Sequence, residues 1–252
     1  MTAFDEAYSN LVSFRVRSFA DKCVEIAEDP KCDGMGFLEK VALAAEAEHE
    51  ARHDRRVAKY NKEARFPNPM ACVEDIIYLP NRTLSKDAVL RLHGCGYIQD
   101  GRNVIVTSPT GAGKSFFVQA LGNSACRHGH KVRYVRHADL CRSLNIARKS
   151  DGHYGLMEEF EGTGLLILDD LFLEESSMAN ITDLLEIITH RADAKASIAI
   201  ASQLEPEQWH LRIDTKIIAD ALLDRLVHNS YKFEIEGPNM REYCASLSAK
   251  SG

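Results

Sequence analysis

Residues 108 to 115 read Ser108-Pro109-Thr110-Gly111-Ala112-Gly113-Lys114-Ser115, directly after the apolar, β-type run Asn103–Thr107. Alternating glycines followed by Lys and Ser are what a phosphate-wrapping loop between a strand and a helix requires. The glycines let the backbone N–H groups of residues 111–115 close around a β-phosphate, aided by the N-terminus of the following helix. Lys114 would reach the β- and γ-phosphates, and the Ser115 hydroxyl would hold Mg2+. The nucleotide-binding stretch is expected to run from Ser108 through Phe116. Ser108 stands where such loops usually carry their first glycine, a position Ser can fill if its φ stays negative.

A second run, Leu165-Leu166-Ile167-Leu168, is wholly apolar and ends in Asp169-Asp170. Two carboxylates at the end of a buried strand suit a phosphate loop. Asp169 would bind Mg2+, and Asp170 would polarise the attacking water. Asp170 is one methylene shorter than the Glu more usual in that role. A third run, Ile198–Ala201, ends in Ser202-Gln203, and Gln203 (or Ser202) could orient the water. Arg225, in Leu222-Leu223-Asp224-Arg225-Leu226, lies in an amphipathic helical pattern. It could reach a neighbouring subunit's nucleotide as an arginine finger, or pair locally with Asp224 or Asp220.

These residues need a scaffold that brings strand ends together. From residue 70 onward strand candidates (Asn103–Thr107, Val132–Val135, Leu165–Leu168, Ile198–Ala201) alternate with helical patterns such as Leu140–Ala147 and Ile181–Ala192. That alternation predicts an α/β fold, a parallel sheet with helices on both faces. In a doubly wound sheet the Ile198–Ala201 strand lies beside Asn103–Thr107, with its end toward the γ-phosphate. Residues 1–66 read as helical, with Tyr8, Leu11 and Val12 at helical spacing and a longer pattern over 37–65. Pro67 and Pro69 mark the boundary. The expected domains are a small N-terminal helical domain over 1–66 and an ATPase domain over 67–252.

One pattern argues for different chemistry. His49 and His53 bracket Glu50 as HExxH, a zinc-peptidase spacing. Arg52, Arg55 and Arg56 on the same charged helix would repel a dication, and no third ligand is evident, so the motif is set aside. The other His and Cys residues show no ligand spacing. Seven cysteines, an odd number without a CxxC, indicate a reducing, cytoplasmic setting. No apolar run is long enough to span a membrane.

The 252 residues carry a net charge of −6, which argues against a surface uniformly positive for nucleic acid. The charge is unevenly spread, however. Residues 127–149 hold seven basic residues against Asp139 alone, residues 50–66 hold six against three acids, and residues 158–207 hold twelve acids against Arg191 and Lys195. Arg136, Arg142, Arg148 and Lys149 are the first candidates for contacts to DNA phosphates. Arg52, Arg55, Arg56 and Lys59 are the second group. No recognition helix or stacking platform is recognisable, so duplex binding should be largely independent of sequence.

With these motifs go more distinctive stretches: Ala201-Ser202-Gln203-Leu204 followed by Trp209-His210, and Ala221-Leu222-Leu223-Asp224-Arg225-Leu226-Val227-His228-Asn229 followed by Met240-Arg241. Together with Phe37–Lys40, Ala64-Arg65, Ala71–Ile76 and Val132–Val135, they resemble the IstB-like helper ATPases of insertion-sequence transposons. Those are relatives of DnaC-type helicase loaders within the AAA+ class. The resemblance runs from about Phe37 to Tyr243. It implies an AAA+ ATPase that binds ATP and Mg2+, forms a ring or helical homo-oligomer on duplex DNA, deforms the duplex, and recruits and stimulates a DDE-type transposase. It also implies that Arg225 is the arginine finger, that Arg241 is a sensor 2 residue, and that the double Asp ending at Asp170 is a family feature. With about fifty residues after Gln203, the helical lid should be reduced. A DnaC-like helicase loader is the alternative. A small-molecule kinase would need an acceptor site and an Arg-rich lid, and neither is visible.

Overall fold

Each apolar run becomes a strand. In the computed structural model, which describes residues 3–250, the second part of the chain is a five-stranded sheet. Met1, Thr2, Ser251 and Gly252, included in the expected domains, lie outside the described residues. The elements in chain order are α1 (Ala3–Ser13), α2 (Arg17–Glu28), α3 (Phe37–Ala64), α4 (Lys86–His93), α5 (Gly96–Gln99), β1 (Asn103–Thr107), α6 (Lys114–Arg127) and β2 (Val132–Arg136). Then follow α7 (His137–Ala147), α8 (His153–Glu161), β3 (Leu165–Asp169), α9 (Met178–Asp193), β4 (Ser197–Ser202), a 3-10 helix (Pro206–Arg212), α10 (Lys216–Val227), β5 (Ser230–Glu234) and α11 (Met240–Lys250).

The strand order is β2-β3-β4-β1-β5, and every pairing is parallel. As expected, β4 lies beside β1, with Val106 opposite Ala201 and Thr107 opposite Ser202. The sheet is covered on both faces, which is why its central strands are continuously apolar. Side chains alternate between two cores. Val104, Val106, Leu165, Ile167 and Ala199 pack with α6 on one face, whereas Ile105, Leu166, Leu168, Ile198 and Ile200 pack with α7 to α10 on the other. Truncating the fully buried Leu166 to Ala should cost about 2–5 kcal/mol. β5 is an edge strand whose Tyr231 and Lys232 are exposed, so no apolar period announces it.

Contacts divide the chain into Met1–Lys59 and Tyr60–Gly252, so the division falls inside α3 rather than after residue 66. The end of α3 and the residues after it supply Ala64 and Phe66 to the core of the second unit. Within the first unit Glu48 is almost fully buried, and Oε2 accepts the N–H groups of Ser18 (2.9 Å) and Phe19 (3.3 Å) at the start of α2. Its Oε1 accepts from Arg52 Nε at 2.7 Å and Arg55 at 3.2 Å. Arg52 first, with the backbone N–H groups, holds the Glu48 carboxyl below the usual range. Two of the cations expected on DNA thus also close the helical unit. His49 is exposed and His53 half-buried on α3, and no third ligand gathers on them among the described residues. Among those residues no helix is long and apolar enough to cross a membrane.

His137 opens α7 fully buried, its ring 5.2 Å from that of Phe172. Burial pushes its pKa down from 6.5 to about 4. Because the folded value is depressed, the stability tied to neutral His137 is whole above pH 6.5 and is lost as pH falls toward about 4. Urea unfolding at about pH 7 and about pH 5.5 should show roughly 1 kcal/mol more acid loss for the native chain than for His137→Phe. Equal losses would contradict a buried neutral imidazole.

Candidate nucleotide-binding site

The phosphate loop leaves β1 at Thr107, and Ser108 N–H donates to Ser202 O at 3.2 Å, fixing its start against β4. Ser108 keeps a negative φ, so the missing first glycine costs no strain. The turn itself needs glycine: Gly111 has φ +89° and Gly113 +95°. A Cβ on Gly111 would stand 2.5 Å from Asn239 Oδ1, and one on Gly113 2.9 Å from the Arg82 guanidinium. Gly113 caps α6 with no side-chain hydrogen bond, which leaves the first N–H groups of that helix to meet an anion. The loop borders a cleft of about 520 Å³ in which Lys114, Ser115, Arg136, Asp170, Gln203 and Arg241 meet. Phe116 and Thr110 line it as well, with Ile76, Ile77 and Met240 as its apolar wall.

Asp169 is the hub. It is 1% exposed, and its Oδ1 accepts from the Ser115 hydroxyl at 3.0 Å and from Asp170 N–H at 2.9 Å. The Tyr134 hydroxyl donates to Oδ2 at 2.7 Å. Burial, with the neighbouring Asp170 charge adding to it, pushes the Asp169 carboxyl up despite these donors. A hydroxyl and an anionic carboxylate oxygen so close together form the hard oxygen set that Mg2+ takes, and a cation there would favour the ionised carboxylate. Asp170 has φ +53°, a left-handed backbone that Asp tolerates, and this places its carboxylate 3.8 Å from Lys114 Nζ. Gln203 Oε1 accepts from the Thr110 hydroxyl at 2.9 Å, tying the end of β4 to the loop.

The sequence profile of the IstB-like ATP binding protein family matches residues 9–248. The chain belongs to this family. It is 35% identical over 218 residues to a protein of Sinorhizobium fredii described as an insertion sequence ATP-binding protein, covering 86% of this chain and 88% of that protein. A Pseudomonas fluorescens protein described as the ATP-binding protein of insertion sequence IS1162 is 33% identical over 197 residues, or 78% and 84% of the two chains. Among solved structures, AMPPCP-bound DnaA from Aquifex aeolicus aligns with a TM-score of 0.59 at 19% identity, covering 74% of this chain and 57% of that one. The DnaC helicase loader aligns with a TM-score of 0.56 at 15% identity, covering 66% and 97%. At these identities the structures show the fold alone, a P-loop AAA+ sheet.

In this IstB-like chain the other expected residues have distinct settings. Arg241, at the start of α11, lines the cleft. Arg225 does not join it. Its guanidinium donates to Ala221 O at 2.8 Å in a separate hollow with Asn103 and Ile198, near the opposite ends of β1 and β4. Neither Asp220 nor Asp224 pairs with it among the described residues; they face His210 and His228. The four cations expected as one DNA track are also in different settings. Arg136 lines the nucleotide cleft, Arg142 pairs with Asp139 at 2.7 Å, Arg148 is bound to Asp183 and Asn180, and Lys149 is exposed.

Three residues that no motif marked complete the site. Arg82, which borders the cleft, donates to Ile77 O at 2.7 Å and to Ala112 O at 2.8 Å, bracing the loop. Asn239 packs on Gly111, while Met240 N–H donates to Gly111 O at 2.9 Å. Tyr134 could have been found, because it lies two residues before the end of the strand that borders the Asp169 strand.

The raised Asp169 carboxyl makes its ionised form a cost to the folded chain at neutral pH, a cost that fades as pH falls below the raised value. Asp169→Asn should therefore raise the thermal midpoint of the nucleotide-free protein, by about 2–4 °C per kcal/mol relieved. In calorimetric titration, ATP affinity should no longer respond to Mg2+. A lowered midpoint would mean that the three donors outweigh burial.

Proposed function

We propose that this chain is a Mg2+-dependent ATPase that assembles on duplex DNA and presents the remodelled duplex to the DDE-type transposase of an insertion sequence. The observation that carries this reading is the separation of Arg225 from the cleft. The phosphate loop, the acids and Gln203 are together, while the expected arginine finger stands near the other end of the sheet. A neighbouring subunit that presents Arg225 to this cleft makes assembly and hydrolysis one event. The relatives at 33% and 35% identity, described by insertion sequences, favour this role over helicase loading.

The residues divide the work. The loop N–H groups and Lys114 bind the phosphates, and Arg241 holds the nucleotide from the α11 side. Ser115 and Asp169 would hold Mg2+, which when bound withdraws charge from the phosphate oxygens. Asp170, freed from Lys114 once phosphate competes for the ammonium, receives the water's proton. Gln203, anchored by Thr110, orients that water. Among the candidate DNA contacts, the exposed Lys149 and the exposed Arg142, paired at the surface with Asp139, remain on the second unit, and Arg56 and Lys59 on the first unit do not hold Glu48. Each subunit contributes few phosphate contacts, so firm binding requires many subunits in one assembly.

The test is ATP-dependent assembly on duplex DNA followed by electron microscopy. Lys114→Ala should abolish it, and unchanged assembly would overturn the reading. Neutralising Arg142 and Lys149 together should lower the slope of log affinity against log salt by about 2 for each subunit engaged, whatever the duplex sequence. An unaltered slope would remove both residues from the DNA surface.

A further inference from the structure

Arg136 belongs to the segment with seven basic residues, and composition alone assigns it to DNA. Its place in the fold does not. Arg136 is the last residue of β2 and pairs in register with Asp169, so it stands at the end of the sheet where the phosphate loop lies. It borders the same cleft as Lys114, Asp170 and Gln203. Tyr134, two residues earlier and on the same face of the strand, holds Asp169 and also lies against the Arg136 guanidinium. That hydroxyl first, then the Asp169 and Asp170 carboxylates, keep Arg136 firmly charged. Two of its basic neighbours are held elsewhere, Arg133 by Glu159 and Arg148 by Asp183.

The position of Arg136 suits a role in the nucleotide site. Asp170 lies 3.8 Å from Lys114 Nζ, and Arg82 and Arg241 border the same cleft, but at the end of β2 the guanidinium of Arg136 is the cation in register with Asp169. It offers N–H donors in a planar fork suited to phosphoryl oxygens.

We propose that Arg136 is a cis-acting arginine of the nucleotide site that stabilises the transferring γ-phosphoryl group, and is not a DNA contact. The proposal rests on the ATPase reading above. In the step it serves, the water oxygen bonds to the γ-phosphorus while the bond to the β–γ bridging oxygen breaks. The electron pair stays on ADP, and the water's proton passes to Asp170. Arg136 donates to the γ-phosphoryl oxygens as charge redistributes, so its effect falls on turnover rather than on binding.

The experiment compares native chain, Arg136→Gln and Arg136→Lys in ATP turnover with and without duplex, in binding of a non-hydrolysable ATP analogue, and in the salt dependence of duplex binding. Arg136→Gln should lower kcat at least tenfold, with analogue affinity changed less than about threefold and an unaltered salt slope. Arg136→Lys should restore part of kcat. Unchanged kcat in both variants, or a lowered salt slope with kcat intact, overturns the proposal and leaves the ATPase reading standing. A native chain that hydrolyses no ATP under any of these conditions overturns both.

Discussion

Asp169 is a carboxylate placed where burial opposes its own charge, and the site is organised around keeping it there. Its three donors come from three places: the first turn of α6 (Ser115), the middle of β2 (Tyr134) and its own chain at Asp170. One side chain therefore fixes the phosphate loop, the edge strand and the acidic turn in a single geometry. This works only because β3 lies between β2 and β4 and all the strands run parallel, so that their C-terminal ends share one border. The desolvated Asp169 carboxylate would gain from a cation at this position, which would offset the burial of its charge.

The sequence disclosed the parts of the site that use short, local chemistry. Gly111 and Gly113 are there because the backbone at each is left-handed, and Lys114-Ser115 follow where the helix opens and its free N–H groups can meet an anion. Such constraints act within a few residues and so leave a motif. The buried strands were legible for a related reason: both faces are covered, so Leu165–Leu168 could hold nothing polar. Arg82, Asn239 and Tyr134 act across the fold, on residues far from them in sequence. No periodicity encodes that Arg82 will brace Ala112 or that Asn239 will pack on Gly111. β5 escaped notice because none of its five residues is fully buried and Tyr231, Lys232 and Glu234 are exposed, whereas the other edge strand, β2, buries four of five.

Charge was the least reliable guide when read as composition. The basic stretch 127–149 suggests a continuous track. In the fold its members are divided among an ion pair with Glu159, a network on Asp183, the nucleotide cleft, and solvent. The same holds for Arg52 and Arg55, whose partner Glu48 caps α2. Internal pairing takes up Arg52, Arg55, Arg133 and Arg148, so fewer unpaired cations per subunit face solvent than the composition suggests.

On the proposed reading the ATP site is completed between subunits, with the loop and acids from one and Arg225 from the next. Mixing two variants, each inactive alone, tests it most directly. Lys114→Ala keeps its Arg225, and Arg225→Ala keeps its nucleotide cleft. ATP turnover measured across mixing ratios on duplex DNA should rise from near zero for each pure variant to a maximum at intermediate ratios. A flat line across all ratios, with both variants folded and co-assembled, or full activity in Arg225→Ala alone, would contradict a shared site.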